Sequence, residues 1–165
     1  MTARDRNAQG RAENARPRDG LGRPLPYDSP GVPRVNEDMV LSPTESLREA
    51  QHLFATERPF HAHEVLEAAW KNAPAAERAL WKALAQLAVG ITHVRRGNPK
   101  GAAALLHRAH EGIDPYAGTA PHGIRAGALS AHANDLAERI THGGLDIVSE
   151  TELTPQLASS TAADE

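Results

Sequence analysis

Five stretches of this chain between residues 41 and 145 carry apolar residues at helical spacing, and each is bounded by residues that start or stop helices. The clearest start is Ser42-Pro43-Thr44-Glu45. Ser42 suits the N-cap, Pro43 suits the first helical position, and Glu45 completes a capping box. Further boundary signals follow at Pro59, Pro74, Gly97-Asn98-Pro99, Gly112 and Gly143-Gly144.

These signals predict five helices, at about residues 43–57, 59–72, 75–96, 99–112 and 121–142. No segment shows the clear apolar-polar alternation of a half-buried strand. The connections are short, which favours antiparallel neighbours. The predicted fold is therefore all-α, a single antiparallel bundle of about five helices.

The two ends of the chain differ from the middle in composition. Residues 1–40 hold seven arginines, six acidic residues and five prolines without periodicity, which predicts an extended or disordered leader. This Pro/Arg-rich leader is either a free tail or a strap over the folded surface. Residues 41–145 form the predicted helical domain, and the acidic, Ser/Thr-rich residues 146–165 are predicted to be a disordered tail.

Composition limits the classes of function. The net charge of −3 provides no basic field, so neither nucleic acid nor a membrane is expected as a partner. The chain has no cysteine, which excludes thiolate ligands and leaves nine histidines and the carboxylates for any metal. The first residues contain no apolar signal-peptide core, and the run 83–91 is too short for a membrane span, so the expected location is cytoplasmic.

The segment PFHAHEVLEAAW places His63, Glu67 and Trp70 at positions i, i+4 and i+7 of the second helix. At 100° per residue its apolar arc contains Ala62, Val65, Leu66, Ala69 and Trp70. His63 and Glu67 lie beside that arc, with Phe60 close by, so partial burial is expected. Glu64 falls further toward solvent, where we expect a rim or supporting role.

The third helix repeats this pattern with Gln86, Gly90 and His93, again at i, i+4 and i+7. If the two helices pack antiparallel, Gly90 allows their backbones to approach each other. Gln86 and His93 then face His63 and Glu67. The sequence therefore predicts a small polar site between the second and third helices, lined also by Phe60 and Trp70.

The residues at this site leave three interpretations open. In the first, His63, Glu67 and His93 bind a divalent ion (zinc, manganese or iron), and Glu64 or Glu67 moves a proton during a metal-dependent hydrolysis. In the second, the polar row is structural: His63 pairs with Glu67, Glu67 pairs with Lys71, and Gln86 hydrogen-bonds His93. In the third, a small ligand binds without metal. The residues assign no substrate or reaction.

The same stretch resembles a known family. FHAHEVLEAAW followed by LWKALAQLAVGITHVRRGNPKGAAALL is similar to the prokaryotic domain of unknown function 309, whose hallmark corresponds to His63, Glu67 and Trp70. The downstream pattern is met by Gln86, Gly97-Asn98 and Gly101-Ala102, and the similarity covers about residues 46–109. The resemblance implies an all-helical domain and a metal-binding role for the His/Glu motif, without a substrate.

A helical interaction module is the alternative function. The stretches EAQHLFATERPFHAHEVLEAAW and LAVGITHVRRGNPKGAAALLHRA each have the pattern of a helix, a short turn and a second, Ala-rich helix. Weak tetratricopeptide-type hairpins have the same pattern. Trp81 lies away from the main apolar arc of the third helix. It must be covered by helix 1, helix 5 or the leader, or by a partner such as a second copy of the chain or another helical protein.

Overall fold

A computed structural model describes residues 40–159. Its helices are α1 (Pro43–Ala55), α2 (Pro59–Asn72), α3 (Ala75–Arg95), α4 (Pro99–Ile113) and α5 (Ala126–Gly143). Each helix packs against the next along the chain, so α3 lies between α2 and α4. The all-α prediction is confirmed, and β pairing in this range is limited to an isolated bridge between Ile124 and Ala158. Among the described helices, none combines the length and apolar character of a membrane span.

The predicted helix boundaries rest on hydrogen bonds that the structure contains. Ser42 Oγ accepts the Glu45 N–H at 3.1 Å, and the Glu45 carboxylate accepts the Ser42 N–H at 3.1 Å. At α4 the Asn98 side chain accepts the Gly101 N–H at 3.0 Å. Gly97 has a φ of +76°, which favours glycine, and it lets the chain leave α3.

Helices α3 and α4 approach each other closely at two glycines. A Cβ on Gly90 would lie 2.9 Å from the Leu106 side chain, and one on Gly112 would lie 2.6 Å from Ala83 Cβ. Two predictions are corrected here. Gly90 faces α4 rather than α2, and Gly112 lies inside α4 instead of ending it. In both cases, the absent side chain makes room for a neighbouring helix.

The start of the last helix also differs from the prediction. Residues 121–125 precede α5 and include a short 3-10 turn at Pro121–Gly123. Ala120 and His122 have φ values of +40° and +55°, in the left-handed region that interrupts a right-handed helix. Pro121 therefore begins this turn, and α5 begins only at Ala126.

Residues 146–159 are packed on the bundle, so the predicted disordered tail is wrong over this range. The Gln51 side chain donates to Pro155 O and accepts the Leu157 N–H, both at 2.9 Å. Leu157 is fully buried and Leu153 nearly so. The local composition is polar, but a distant amide on α1 satisfies the backbone of this segment. Residues 1–39 of the predicted leader and residues 160–165 lie outside the described range.

Two glycine substitutions should change stability in opposite directions. Gly112→Ala places a methyl group against Ala83, and we expect overpacking to lower the free energy of unfolding by about 1–3 kcal/mol. Gly127→Ala in α5 meets nothing nearer than Ala117 Cβ at 3.7 Å, so it should raise stability by up to about 1 kcal/mol. Urea denaturation measures both. Equal changes in the free energy of unfolding for the two substitutions would contradict the close approach of α3 and α4.

Candidate functional site

Half-buried polar side chains form one row along α2, with His63 and Glu67, and another along α3, with Gln86 and His93. Arg96 lies over the Phe60 ring at 5.8 Å, and Lys82 lies over the Trp70 ring at 5.6 Å. These two contacts show that the helices are antiparallel and give their register. By interpolation, His63 lies near the level of residue 92 and Glu67 near that of residue 86. The pairing of His63 with His93 and of Glu67 with Gln86 stays a prediction. We call the strip of side chains along α2 and α3, from Phe60 and Arg96 to Trp70 and Lys82, the α2–α3 groove.

On α2, His63, Glu67 and Lys71 form a continuous chain of ion pairs. His63 Nε2 lies 2.9 Å from Glu67 Oε2, and Lys71 Nζ lies 3.0 Å from Glu67 Oε1. Both carboxylate oxygens therefore accept from neighbours on the same helix. His63 Nδ1 is buried and has no hydrogen-bond partner among the described residues. The Phe60 ring, 5.4 Å away, lies against the imidazole.

On α3, His93 is oriented by Asn98. The Asn98 oxygen already accepts from Gly101, so the group that faces His93 Nδ1 at 3.2 Å is the amide nitrogen. An amide nitrogen only donates, which leaves Nδ1 unprotonated and the proton of the neutral ring on Nε2. Burial lowers the pKa of His93 below its ordinary value, and the nearby Arg96 lowers it further.

Gly101 makes this arrangement possible. A Cβ at Gly101 would lie 2.6 Å from the Asn98 amide nitrogen and 3.1 Å from His93 Cγ. The Gly97-Asn98 and Gly101 pattern noted in the sequence therefore has a physical role beyond capping α4. The pattern leaves room for the Asn98 amide beside His93, and the hydrogen bond between them fixes the tautomer of the His93 ring. The hydrogen bond that the sequence assigned to Gln86 is formed by Asn98 instead, while Gln86 stays half-buried on the same face of α3.

The residues of the groove do not fit a three-ligand metal site as they are arranged. Glu67 has both oxygens in ion pairs, and His93 uses its Nδ1 lone pair for Asn98 and carries its proton on Nε2. Of the three predicted ligands, His63 alone has a buried ring nitrogen, Nδ1, without a hydrogen-bond partner among the described residues. Over residues 40–159 no group of three His, Asp or Glu side chains is placed to hold a metal ion. A metal therefore enters no step of the chemistry below.

The buried face of α2 is wider than the sequence predicted. Glu64 was placed toward solvent, but it is 6% exposed, and His61 is 1% exposed. On the helical wheel, His61 lies about 40° from Val65, at the edge of the predicted apolar arc, and Glu64 lies about 60° further round. The sequence analysis did not single out His61, although its place next to Val65 was a usable signal. Glu64 is therefore part of the interior and not the rim of the groove.

A second polar cluster was also missed. Ser130 is buried on α5, and its hydroxyl donates to Asp114 at 3.0 Å and lies 2.8 Å from His110 Nδ1. The sequence analysis did not single out His110, whose partner Ser130 lies 20 positions away on another helix. The three residues connect α4, the following turn and α5.

The part of the chain that holds the groove matches a known family model. Residues 47–105 match the family model described as domain of unknown function (DUF309). Over these residues the chain is similar to DUF309. That segment contains all of α2 and α3 and the start of α4, so His63, Glu67, His93, Asn98 and Gly101 all lie within the DUF309 match. No curated protein and no solved structure matches the chain.

Replacing Asn98 by Asp should reverse the tautomer of His93. A carboxylate still caps α4 but only accepts, so His93 Nδ1 must carry a proton and the pKa of His93 should rise. In the wild type the pKa of His93 is lowered on folding, so the unfolded chain takes up protons first. Stability should then fall as the pH drops through the ordinary histidine range. Asn98→Asp should reduce that fall.

The measurements are an NMR titration of the His93 ring and urea denaturation at several pH values. Asn72→Asp is the matched control, because Asn72 is an exposed residue bonded to Ala68 O at the far end of α2. An unchanged His93 titration in Asn98→Asp would contradict the assigned hydrogen bond.

Proposed function

We propose that the α2–α3 groove binds a small molecule and catalyses a hydrolytic reaction by general acid–base chemistry. His63 is the base, acting through Nδ1, and neutral His93 donates a hydrogen bond to developing negative charge, acting through Nε2. Glu67 and Asn98 are positioning residues that fix the two rings. The single observation that carries this proposal is the buried Nδ1 of His63, which has no hydrogen-bond partner among the described residues.

The pair formed by His63 and Glu67 supports the role of base. A carboxylate only accepts, so the shared proton lies on His63 Nε2 and the neutral ring keeps a lone pair on Nδ1. Transfer of a proton to Nδ1 creates an imidazolium, and the Glu67 carboxylate stabilises that charge. Lys71 holds the other oxygen of Glu67 and so fixes its orientation.

The environment of His93 supports its role as a hydrogen-bond donor. Its lowered pKa keeps the ring neutral at physiological pH, and Asn98 directs the ring proton to Nε2. A neutral imidazole with a fixed N–H donates a hydrogen bond to developing negative charge without losing its own orientation. The antiparallel order of α2 and α3, in which Phe60 contacts Arg96 and Trp70 contacts Lys82, is consistent with this donor lying near the level of His63.

The remaining predictions receive less support. A metal-dependent hydrolase needs Glu67 and His93 to give up their present partners, and Glu64 is buried rather than available for proton transfer. An interaction module needs an apolar docking face, yet the exposed large hydrophobic residues in the described range are Val40 and Ile147. A homodimer or a helical partner stays a prediction.

Hydrolysis of p-nitrophenyl acetate and bis(p-nitrophenyl) phosphate tests the proposal in buffer containing EDTA. General acid–base groups contribute about 10²–10⁴ in rate, so His63→Gln should lower kcat by about 100-fold or more. His93→Gln should reduce it in the same range, and Glu67→Gln should reduce it less. Circular dichroism checks that each variant is folded.

His107→Gln is the matched control. His107 and Glu111 have the same His-x-x-x-Glu spacing at 3.1 Å but are largely exposed, so this change should leave the rate unaltered. Equal rates in His63→Gln and the wild type would sink the proposal. Uptake of one zinc, manganese or iron per chain by the wild type, lost in His63→Ala, would favour the metal-dependent alternative.

A further inference from the structure

A cavity of about 320 Å³ lies where the start of α1, the end of α2 and the start of α3 meet. Its walls are mainly apolar and include Leu41, Ala69, Pro74 and Trp81. Of the described residues that line it, Glu77 is the one that carries a charge. The volume lies within the range of pockets that hold small molecules.

The Glu77 carboxylate is held ionised by two donors on one of its oxygens. Trp81 Nε1 donates to Oε1 at 3.2 Å, and His122 Nε2 lies 2.7 Å from the same oxygen. Burial raises the pKa of Glu77, but the hydrogen bonds from His122 and Trp81 outweigh it, so its pKa lies below the ordinary value. These contacts leave the second oxygen, Oε2, for another partner.

The loop between α4 and α5 has a strained backbone around His122, the residue that it contributes to the contacts of Glu77. His122 has a φ of +55°, and Ala120, two residues earlier, has +40°. Left-handed backbone costs a non-glycine residue about 1–2 kcal/mol, and such strain concentrates at functional sites. Here it places the His122 ring 6.2 Å from that of Trp81, which is 1% exposed. The α4–α5 loop is thus part of the cover that the sequence analysis sought for Trp81.

The helix ends around the cavity do not offset this negative charge. The N-terminus of α3 contributes about half a positive charge, but the C-terminus of α2 contributes about half a negative charge nearby. The N-terminus of α1 is already satisfied by Ser42 and Glu45. Among the residues that line the cavity, Glu77 therefore provides the dominant charge, and its neighbour His122 lies outside the lining.

We propose that this cavity binds a small organic cation, an alkylammonium whose charged group pairs with Glu77 and whose apolar body contacts Leu41, Ala69 and Pro74. An ammonium group donates hydrogen bonds to a carboxylate oxygen, and the apolar walls contact the alkyl part of the ligand. An anion of the same size meets the Glu77 charge and is repelled. The site shares no residue with the proposed acid–base pair, so either proposal can fail without the other.

The test uses n-butylammonium as the probe and 1-butanol and butyrate as neutral and anionic comparisons, at pH 8. The Trp81 indole N–H signal in the NMR spectrum of the full chain reports binding. We expect saturable shifts with n-butylammonium and at least tenfold weaker binding of the other two compounds. Glu77→Gln keeps an acceptor for Trp81 and should raise the Kd for n-butylammonium at least tenfold.

Glu111→Gln removes an exposed carboxylate on α4 and should leave the Kd unchanged. Ala69→Leu fills the cavity without altering charge and should also abolish binding, which keeps the test decisive if Glu77→Gln does not fold. Binding of 1-butanol as tight as that of n-butylammonium would overturn the proposal. An unchanged Kd in Glu77→Gln, or no shift with any probe, would overturn it as well.

Discussion

The close packing of α3 against α4 is the constraint on which the described polar groups depend. Gly90 and Gly112 remove side chains from this interface, so Leu106 and Ala83 come within contact distance of the opposing backbone. The chain must then reverse within a few residues after Arg95. Gly97 in its left-handed conformation and the Asn98 cap make that reversal. Packing between two helices thus places Asn98 beside His93.

The Asn98 side-chain amide both caps α4 and hydrogen-bonds His93. Its oxygen satisfies a backbone N–H at the start of α4, which fixes where its nitrogen must point. The nitrogen then decides which ring nitrogen of His93 carries the proton. A helix cap is normally worth about 1 kcal/mol. Here the other end of the same amide also sets the tautomer of His93, so the stability of α4 and the protonation of His93 are coupled at one residue.

The sequence was sufficient where the controlling interaction is local. The capping box of Ser42, the Asn98 cap and the glycine at 97 each act within four residues, and the structure contains all three. The polar row of His63 and Glu67 was also predictable, because helical spacing alone brings them together. The ion pairs of Glu67 with His63 and Lys71, which the structural interpretation named, are both present.

The sequence did not predict structural features that depend on contacts with residues far away along the chain. Residues 146–159 read as a frayed tail because the Gln51 amide that holds them lies about a hundred positions earlier. The helical wheel places Glu64 toward solvent because it assumes that α2 buries a single face. In the structure α2 packs against both α1 and α3, and Glu64 is buried. Gly90 lies on the predicted edge of α3 but opposite another helix. Periodicity gives the faces of a helix and not the neighbours of each face.

Spacing alone also fails to separate functional pairs from ordinary ones. His63–Glu67 and His107–Glu111 have the same separation and nearly the same distance, 2.9 and 3.1 Å. Their side chains are 21% and 34% exposed in the first pair and 55% and 64% in the second. An exposed pair of this kind contributes only about 0.2–0.5 kcal/mol. What distinguishes His63 is its surroundings: Phe60 against the ring and a buried Nδ1.

The two candidate sites lie at different places on the same pair of helices and differ in charge. Around the α2–α3 groove, Lys71, Lys82 and Arg96 outnumber Glu67, so a ligand there meets a net positive rim. In the cavity at the other end of α3, Glu77 gives a negative field. Ligands of opposite charge are therefore expected at the two sites. Since Trp70 borders the groove and its neighbour Ala69 lines the cavity, a ligand at either site contacts the last turns of α2.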